Sequence, residues 1–197
     1  MIAAPDEPIQ TVYFPEAGII SILTITRDGR KLEAGLYGRE GTSATALALG
    51  VDRTPHQHVV QVPGAALRMG AAELRQAFEE RPAIRALLLR YVQAVAVQTS
   101  FTAHANGAYT INQRIARWLL MCDDRSDDGI HLTHEFLGQM LGVRRSSVTL
   151  ALHTVESEGL IRAVRGHITV FDRAGLKRLA GDSYGVPEAE YFRLIGR

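Results

Sequence analysis

The chain has 197 residues, 46% of them hydrophobic, and a formal net charge of +1, which is enough apolar material for one or two packed domains. No run of about 18 uncharged apolar residues occurs, and the start MIAAPDEPIQ lacks the basic-then-apolar order of a secretory leader, so the expected location is the cytoplasm, with no membrane contact. Cys122 is the only cysteine, which excludes an intrachain disulfide, a cysteine-based zinc site and a four-cysteine iron–sulfur cluster, and leaves Cys122 as buried packing.

From Gln10 to about Leu67, short β-branched and aromatic runs (TVYFP, GIISILTIT, KLEAGLYG, HVVQVPG) alternate with turn signals. This predicts a β-meander whose clearest unit is a hairpin, Ile19 to Thr26 and Lys31 to Tyr37 around Asp28-Gly29, repeated as in a barrel or sandwich. A short helix is expected near Ala72 to Glu80. A long one follows through RPAIRALLLRYVQAVAVQTSFTAHA, with Pro82 near its first turn, where the missing N–H costs little. Ile84, Leu88, Tyr91 and Val95 form one stripe of that helix, and further apolar residues cover much of the remainder. Such a helix needs two partners. One is the β-meander. The other is either the rest of the same subunit, which periodicity alone favours, or the same helix of a second copy meeting through Ile84, Leu88, Tyr91 and Val95.

Thr110 is placed to cap a helix through INQRIARWLLMCDD, ended by the loop RSDDG. Thr133 then caps a short helix with Phe136, Leu137, Met140 and Leu141 inward, Gly142 makes a sharp turn, and Val143 plugs it. A second helix from about Arg145 to Glu158 keeps Val148, Leu152 and Val155 at core spacing. Two short helices joined by a tight glycine turn form a helix-turn-helix, whose second helix enters the DNA major groove by its N-terminal end. Arg144, Arg145, Ser146, Ser147 and Thr149 give that end the polar, cationic character the task requires. Arginine forks suit guanine, and hydroxyls suit bases or phosphates. Plain helix capping is the alternative role for Ser146 and Ser147. After Gly159 the pattern alternates into two strands around Arg165-Gly166-His167, a wing whose Arg165 and His167 would reach the DNA backbone or minor groove. Asp172 caps a closing helix, and another is expected from Pro187. Between Arg144 and Arg178 there are seven Lys/Arg against three Asp/Glu, a basic segment that coincides with the reading element.

At LTHEFLGQMLGVRRSSVTLALHTVESEGLI and the glycine-tipped wing, the sequence resembles the winged helix-turn-helix domain of the Crp/Fnr family. The order of segments resembles that family across nearly the whole chain, most specifically over Leu132 to Val170 and more loosely through VYFPEAGIISI and GREG. The resemblance implies an α+β fold: a cyclic-nucleotide-binding-like β-barrel (jelly roll) sensor over residues 1–80, shortened at its N-terminus, a dimerisation helix over 81–106, and a winged helix-turn-helix domain over 107–197. It implies a homodimeric transcription regulator on an inverted-repeat double-stranded operator, with RNA polymerase as a further partner it allows. By the resemblance Arg145, Ser146 and Thr149 occupy base-reading positions, joined by Thr133 and Arg144 as DNA contacts. Well-known members carry glutamate in place of Ser146 and arginine in place of Leu150, so their operator does not transfer.

The sensor keeps only an echo of a cyclic-nucleotide site. The residues matching the family's ribose and phosphate partners are Gly38, Glu40, Arg53 and Thr54, but the spacing is altered and Pro55 follows Thr54. Cyclic AMP is therefore not the expected ligand, the effector is unknown, and neither haem nor an iron–sulfur cluster is expected. His56 with His58, and His131 with His134, lack an obvious third metal ligand and are expected at surface or capping positions. Gly35, Gly38 and Gly41 are not a dinucleotide fingerprint. With no nucleophile elbow and no P-loop, the chain is not expected to be an enzyme. The alternative to DNA binding is a sensing module whose winged domain makes protein contacts.

Overall fold

A computed structural model describes residues 1–126 and 129–196. The meander forms as Thr11–Pro15 (β1), Ile19–Ile25 (β2), Lys31–Tyr37 (β3), Gln57–Val62 (β4) and Ala66–Gly70 (β5), with a single helical turn at Thr45–Ala48 (α1). The strands divide into two small antiparallel sheets, β3-β2-β4 and β1-β5. Asp28-Gly29 makes the β2–β3 turn as expected, Gly29 taking φ +81.

Ala71–Glu80 (α2) leads into Pro82–Ala108 (α3), 27 residues long. This helix lies on both sheets. Leu88 and Tyr91 are each 6% exposed, Ile84 packs with Val12, Leu47 and Leu74, and Val95 packs with Ile20, Ile22 and Tyr37. The alternative of a second copy meeting through Ile84, Leu88, Tyr91 and Val95 needs correcting. That stripe is turned into the subunit, where the apolar inner faces of the sheets bury it. The opposite face carries Ala86, Leu89, Gln93, Ala96, Ser100, Ala103 and Gly107, all exposed and spaced alternately three and four apart.

Ile111–Asp123 (α4) begins with the expected cap: the Gln113 amide donates to Thr110 Oγ1, and the Gln113 side chain returns to the Thr110 amide. Part of the RSDDG loop lies outside the described residues. Ile130–His131 (β6), His134–Leu141 (α5), Arg145–Ser157 (α6), Ile161–Val164 (β7), His167–Val170 (β8), Arg173–Ala180 (α7) and Val186–Ile195 (α8) complete the chain. β6, β8 and β7 form one three-stranded sheet in that order.

The main core does not stop at the junction of the two halves. One cluster joins Ile19, Leu23 and Leu36 of the sensor sheet to Trp118 and Leu119 of α4, and continues to Leu137, Val148, Leu152 and Val155 of the helix-turn-helix. Polar links cross the same boundary. Trp118 Nε1 donates to Glu33 Oε1 at 2.9 Å, Gln61 Nε2 donates to Cys122 Sγ at 3.4 Å, and Arg125 Nε donates to Glu40 Oε1 at 2.6 Å. Cys122 is buried as expected, and burial pushes its thiol well above the ordinary range. No helix among the described residues is long and apolar enough to cross a membrane.

Candidate nucleic-acid interface

The two helices of the reading unit are set by their turn. Thr133 Oγ1 accepts from the Phe136 amide at 3.1 Å and starts α5. Gly142 ends that helix at φ +64, the left-handed conformation that costs a side chain most. The Val143 amide donates back to the Gly138 carbonyl at 2.9 Å, and Val143 packs against the core as the expected plug. Gly138 is a requirement that the sequence pattern did not reveal. A Cβ there would stand 2.9 Å from the Val143 carbonyl oxygen, so the bare backbone is what lets α5 and α6 approach. Its signal would have been a glycine inside an otherwise good helix.

Helix α6 buries Val148, Ala151, Leu152 and Val155 and turns Arg145, Ser146, Leu150, His153 and Ser157 outward. Arg144 is its N-cap residue and makes no side-chain cap, so its guanidinium is not spent on the helix end. Arg144, Arg145 and Ser146 are exposed, and Ser147 is half-buried. Thr149 is half-buried and engaged within the protein: its Oγ1 donates to the Arg145 carbonyl at 3.1 Å and lies 2.8 Å from His134 Nδ1. Leu150 is 70% exposed, an unusual site for a leucine unless an apolar surface meets it.

In the wing, Arg165 (φ +49) and Gly166 (φ +79) form a two-residue turn of the kind that matches strand twist, and Arg165 stands exposed at its tip. His167 does not share that freedom. It is half-buried and pairs across the sheet with His131, their ring centroids 4.5 Å apart. Arg173 is likewise drawn inward, bonded to Asp123 and Asp124 and to Tyr184 Oη. The basic surface that remains on this side is made by Arg144, Arg145, Arg162 and Arg165, all exposed.

Residues 113–179 match the Crp-like helix-turn-helix domain family. That domain family is therefore placed on the helix-turn-helix part of the chain, and the chain as a whole is similar to Crp/Fnr-type regulators. It is 24% identical to the global nitrogen regulator of Nostoc sp. over 88% of this chain and 82% of that protein. It is 25% identical to the transcriptional regulator LdrP of Thermus thermophilus over 90% of this chain and 91% of the relative. The solved structure of FixK2 from Bradyrhizobium japonicum has the same architecture, with a TM-score of 0.78, 19% identity and coverage of 91% of this chain and 92% of that one.

In this chain the four residues matching a cyclic-nucleotide site do not converge. Glu40 accepts from the Gly38 amide at 3.1 Å and is held by Arg125. Arg53 is exposed and pairs with its neighbour Asp52 at 3.1 Å. Thr54 Oγ1 accepts from the His56 amide at 3.3 Å. Glu40 lines a cavity beside α3 to which Arg53 and Thr54 do not contribute. A cyclic phosphate needs an arginine and amides aimed at one point, and these residues do not fit it. His58, expected near the surface, is 4% exposed and lies 3.1 Å from Tyr37 Oη. Burial brings its imidazole down to about 4, so it is a neutral core residue near neutral pH. Among the described residues no group of three or more His, Cys, Asp or Glu is placed to hold a metal.

Proposed function

We propose that two copies of the chain form a two-fold dimer that binds an inverted-repeat DNA operator in the cytoplasm, each placing α6 in a major groove and the Arg165 wing on the flanking backbone. What carries the reading is the outward end of α6, where Arg144, Arg145 and Ser146 are exposed beside a wing whose cation is also free of packing. The dimer seam is assigned to the exposed face of α3 from Ala86 to Gly107. Its repeat of seven is that of a coiled coil, and its mostly small residues allow close approach of two helices. No metal, haem or iron–sulfur cluster is required, and the separation of Glu40 from Arg53 argues against cyclic AMP as effector.

Base reading is assigned to Arg145, Ser146 and Leu150. The leucine suits the C5-methyl of thymine, so this operator should carry a thymine where relatives with an arginine at that place prefer a base rich in acceptors. Thr149, with its hydroxyl engaged, is left to shape and methyl contacts.

Selection of bound duplexes from a random library, at low and at high salt, tests this. The expected result is an enriched inverted repeat with half-sites one helical turn, about 34 Å, apart. Arg145→Ala should cost about 1–3 kcal/mol and relax preference at one base pair. Leu150→Ala should relax preference for one thymine. Arg165→Ala should weaken binding evenly across sequences and make the salt dependence shallower. Binding with no sequence enrichment and little salt dependence would instead place protein contacts on the winged domain.

A further inference from the structure

A cavity of about 270 Å³ lies where the sensor, the long helix and the C-terminal helix meet. Its walls are Leu36 and Tyr37 from β3, Tyr91 and Val95 from α3, and Pro187 and Tyr191 from α8. A site of about 150 Å³ is enough for a single benzene ring, so this one has room for a fused bicyclic ring. The tyrosines offer ring faces and edges, the surfaces that aromatic guests prefer.

The ionised side chains around the cavity are already committed. Glu40 is held by Arg125, whose Nη1 also donates to the Met121 carbonyl at 2.6 Å. Asp124 accepts from Tyr184 Oη at 2.8 Å and is bonded to Arg173. Glu188 accepts from the Gly185 amide at 2.7 Å, which fixes the start of α8. Arg39 also has a partner. An anionic guest would meet the carboxylates Glu40, Asp124 and Glu188, with Arg125 already held by Glu40, and would lose its hydration uncompensated. Beside the aromatic and aliphatic walls, the chemistry therefore favours an uncharged guest.

We propose that this cavity binds a small, neutral, aromatic molecule of about bicyclic size. Its position gives binding a mechanical consequence. Tyr191 Oη of α8 donates to the Glu40 carbonyl at 2.7 Å, and α8 packs along α3. A guest among β3, α3 and α8 would thus brace the C-terminal helix, which follows the DNA-binding unit in the chain, against the sensor and the helix assigned to the seam. That consequence rests on the DNA-binding reading above; the binding itself does not.

Titration calorimetry of the full chain with indole, and with indole-3-carboxylate as the charged counterpart of the same ring, tests the site without DNA. Saturable indole binding is expected, at least tenfold tighter than that of the carboxylate. Ala94→Phe, which puts a ring into the cavity from α3, should weaken indole binding at least tenfold. Should that variant fail to fold, Tyr191→Leu, which removes one aromatic wall on half-exposed α8, should weaken it severalfold. Absence of saturable indole binding, equal binding of the carboxylate, or binding unchanged in a folded cavity variant would overturn the proposal. Failure of duplex selection with indole binding intact would count against the DNA reading alone.

Discussion

Glu33 is the residue whose environment departs furthest from what its type suggests. It is 5% exposed on β3, accepts from Trp118 Nε1, and leaves Oε2 without a partner among the described residues. Burial pushes its carboxyl up to about 7, against the pull of the Trp118 hydrogen bond and of the Arg117 and Arg125 charges. The folded state therefore holds this proton more tightly than the unfolded chain, and stability falls as pH rises from about 4.5 to about 7. His58 works in the opposite sense. Its folded imidazole gives up the proton more readily, so stability falls as pH drops from about 6.5 to about 4. Each shift is worth roughly 3 kcal/mol, and between about 4.5 and 6.5 the two largely cancel. Glu33→Gln keeps an acceptor for Trp118 and removes the titration. Urea midpoints should then fall clearly on acidification from pH 6.5 to 4.5, where those of the unsubstituted protein stay nearly flat, and the variant should be the more stable protein at pH 8. Parallel pH profiles for the two proteins would show that Glu33 does not titrate in the fold. Neither residue was legible in sequence. A glutamate in an alternating strand and a histidine in a His-x-His pair both read as surface groups, because burial is decided by what packs on the strand from elsewhere in the chain.

At the scale of elements, α3 shows how a correct periodicity can leave the partner of a stripe open. Its apolar residues cover most of the circumference, so the sequence permits several stripes, and the sheets settle which one turns inward. Substitutions on the two faces should separate accordingly. Ala96→Arg, on the exposed face, should leave folding nearly unchanged but convert the proposed dimer to monomer in light scattering, with operator affinity reduced at least tenfold because half-sites are then bound one at a time. Leu88→Ala, on the buried face, should instead cost about 2–5 kcal/mol of stability. A dimer that survives Ala96→Arg would exclude this face as the seam. The reading unit was far more legible. Thr133, Gly142 and Val143 behave as their types dictate, because caps and left-handed turns are governed by a few neighbouring backbone groups. The surroundings of His167 and Arg173 were not legible for the opposite reason: their partners, His131, Asp123 and Asp124, come from segments distant in sequence.

For the molecule as a whole, the decisive feature is that the sensor sheet and the helix-turn-helix share one core. Leu32 of the β2–β3 hairpin reaches the α5–α6 turn, where a Cβ on Gly142 would stand 2.9 Å from its Cδ1. Trp118 ties α4 to β3. Two halves joined by a continuous apolar cluster should not unfold separately. Urea unfolding followed by Trp118 fluorescence, which reports the junction, and by far-ultraviolet circular dichroism, which reports the helices, should give coincident transitions. Two separated transitions would mean that the shared cluster contributes little to stability.

The sequence by itself determined the order of elements, the helix-turn-helix with its cap and turn, the arginine-rich start of α6 and the tip of the wing. These follow from local backbone chemistry and from periodicities of two and 3.6 residues, which act over a few neighbours. Only the tertiary structure decided which face of α3 is left exposed, that Glu40 and Arg53 go to separate partners, that Glu33 and His58 are buried, and that four tyrosines enclose a cavity with α8 as one wall. Each of these depends on contacts between segments far apart in the chain, where the competition among apolar surfaces for burial, rather than any local preference, fixes the outcome.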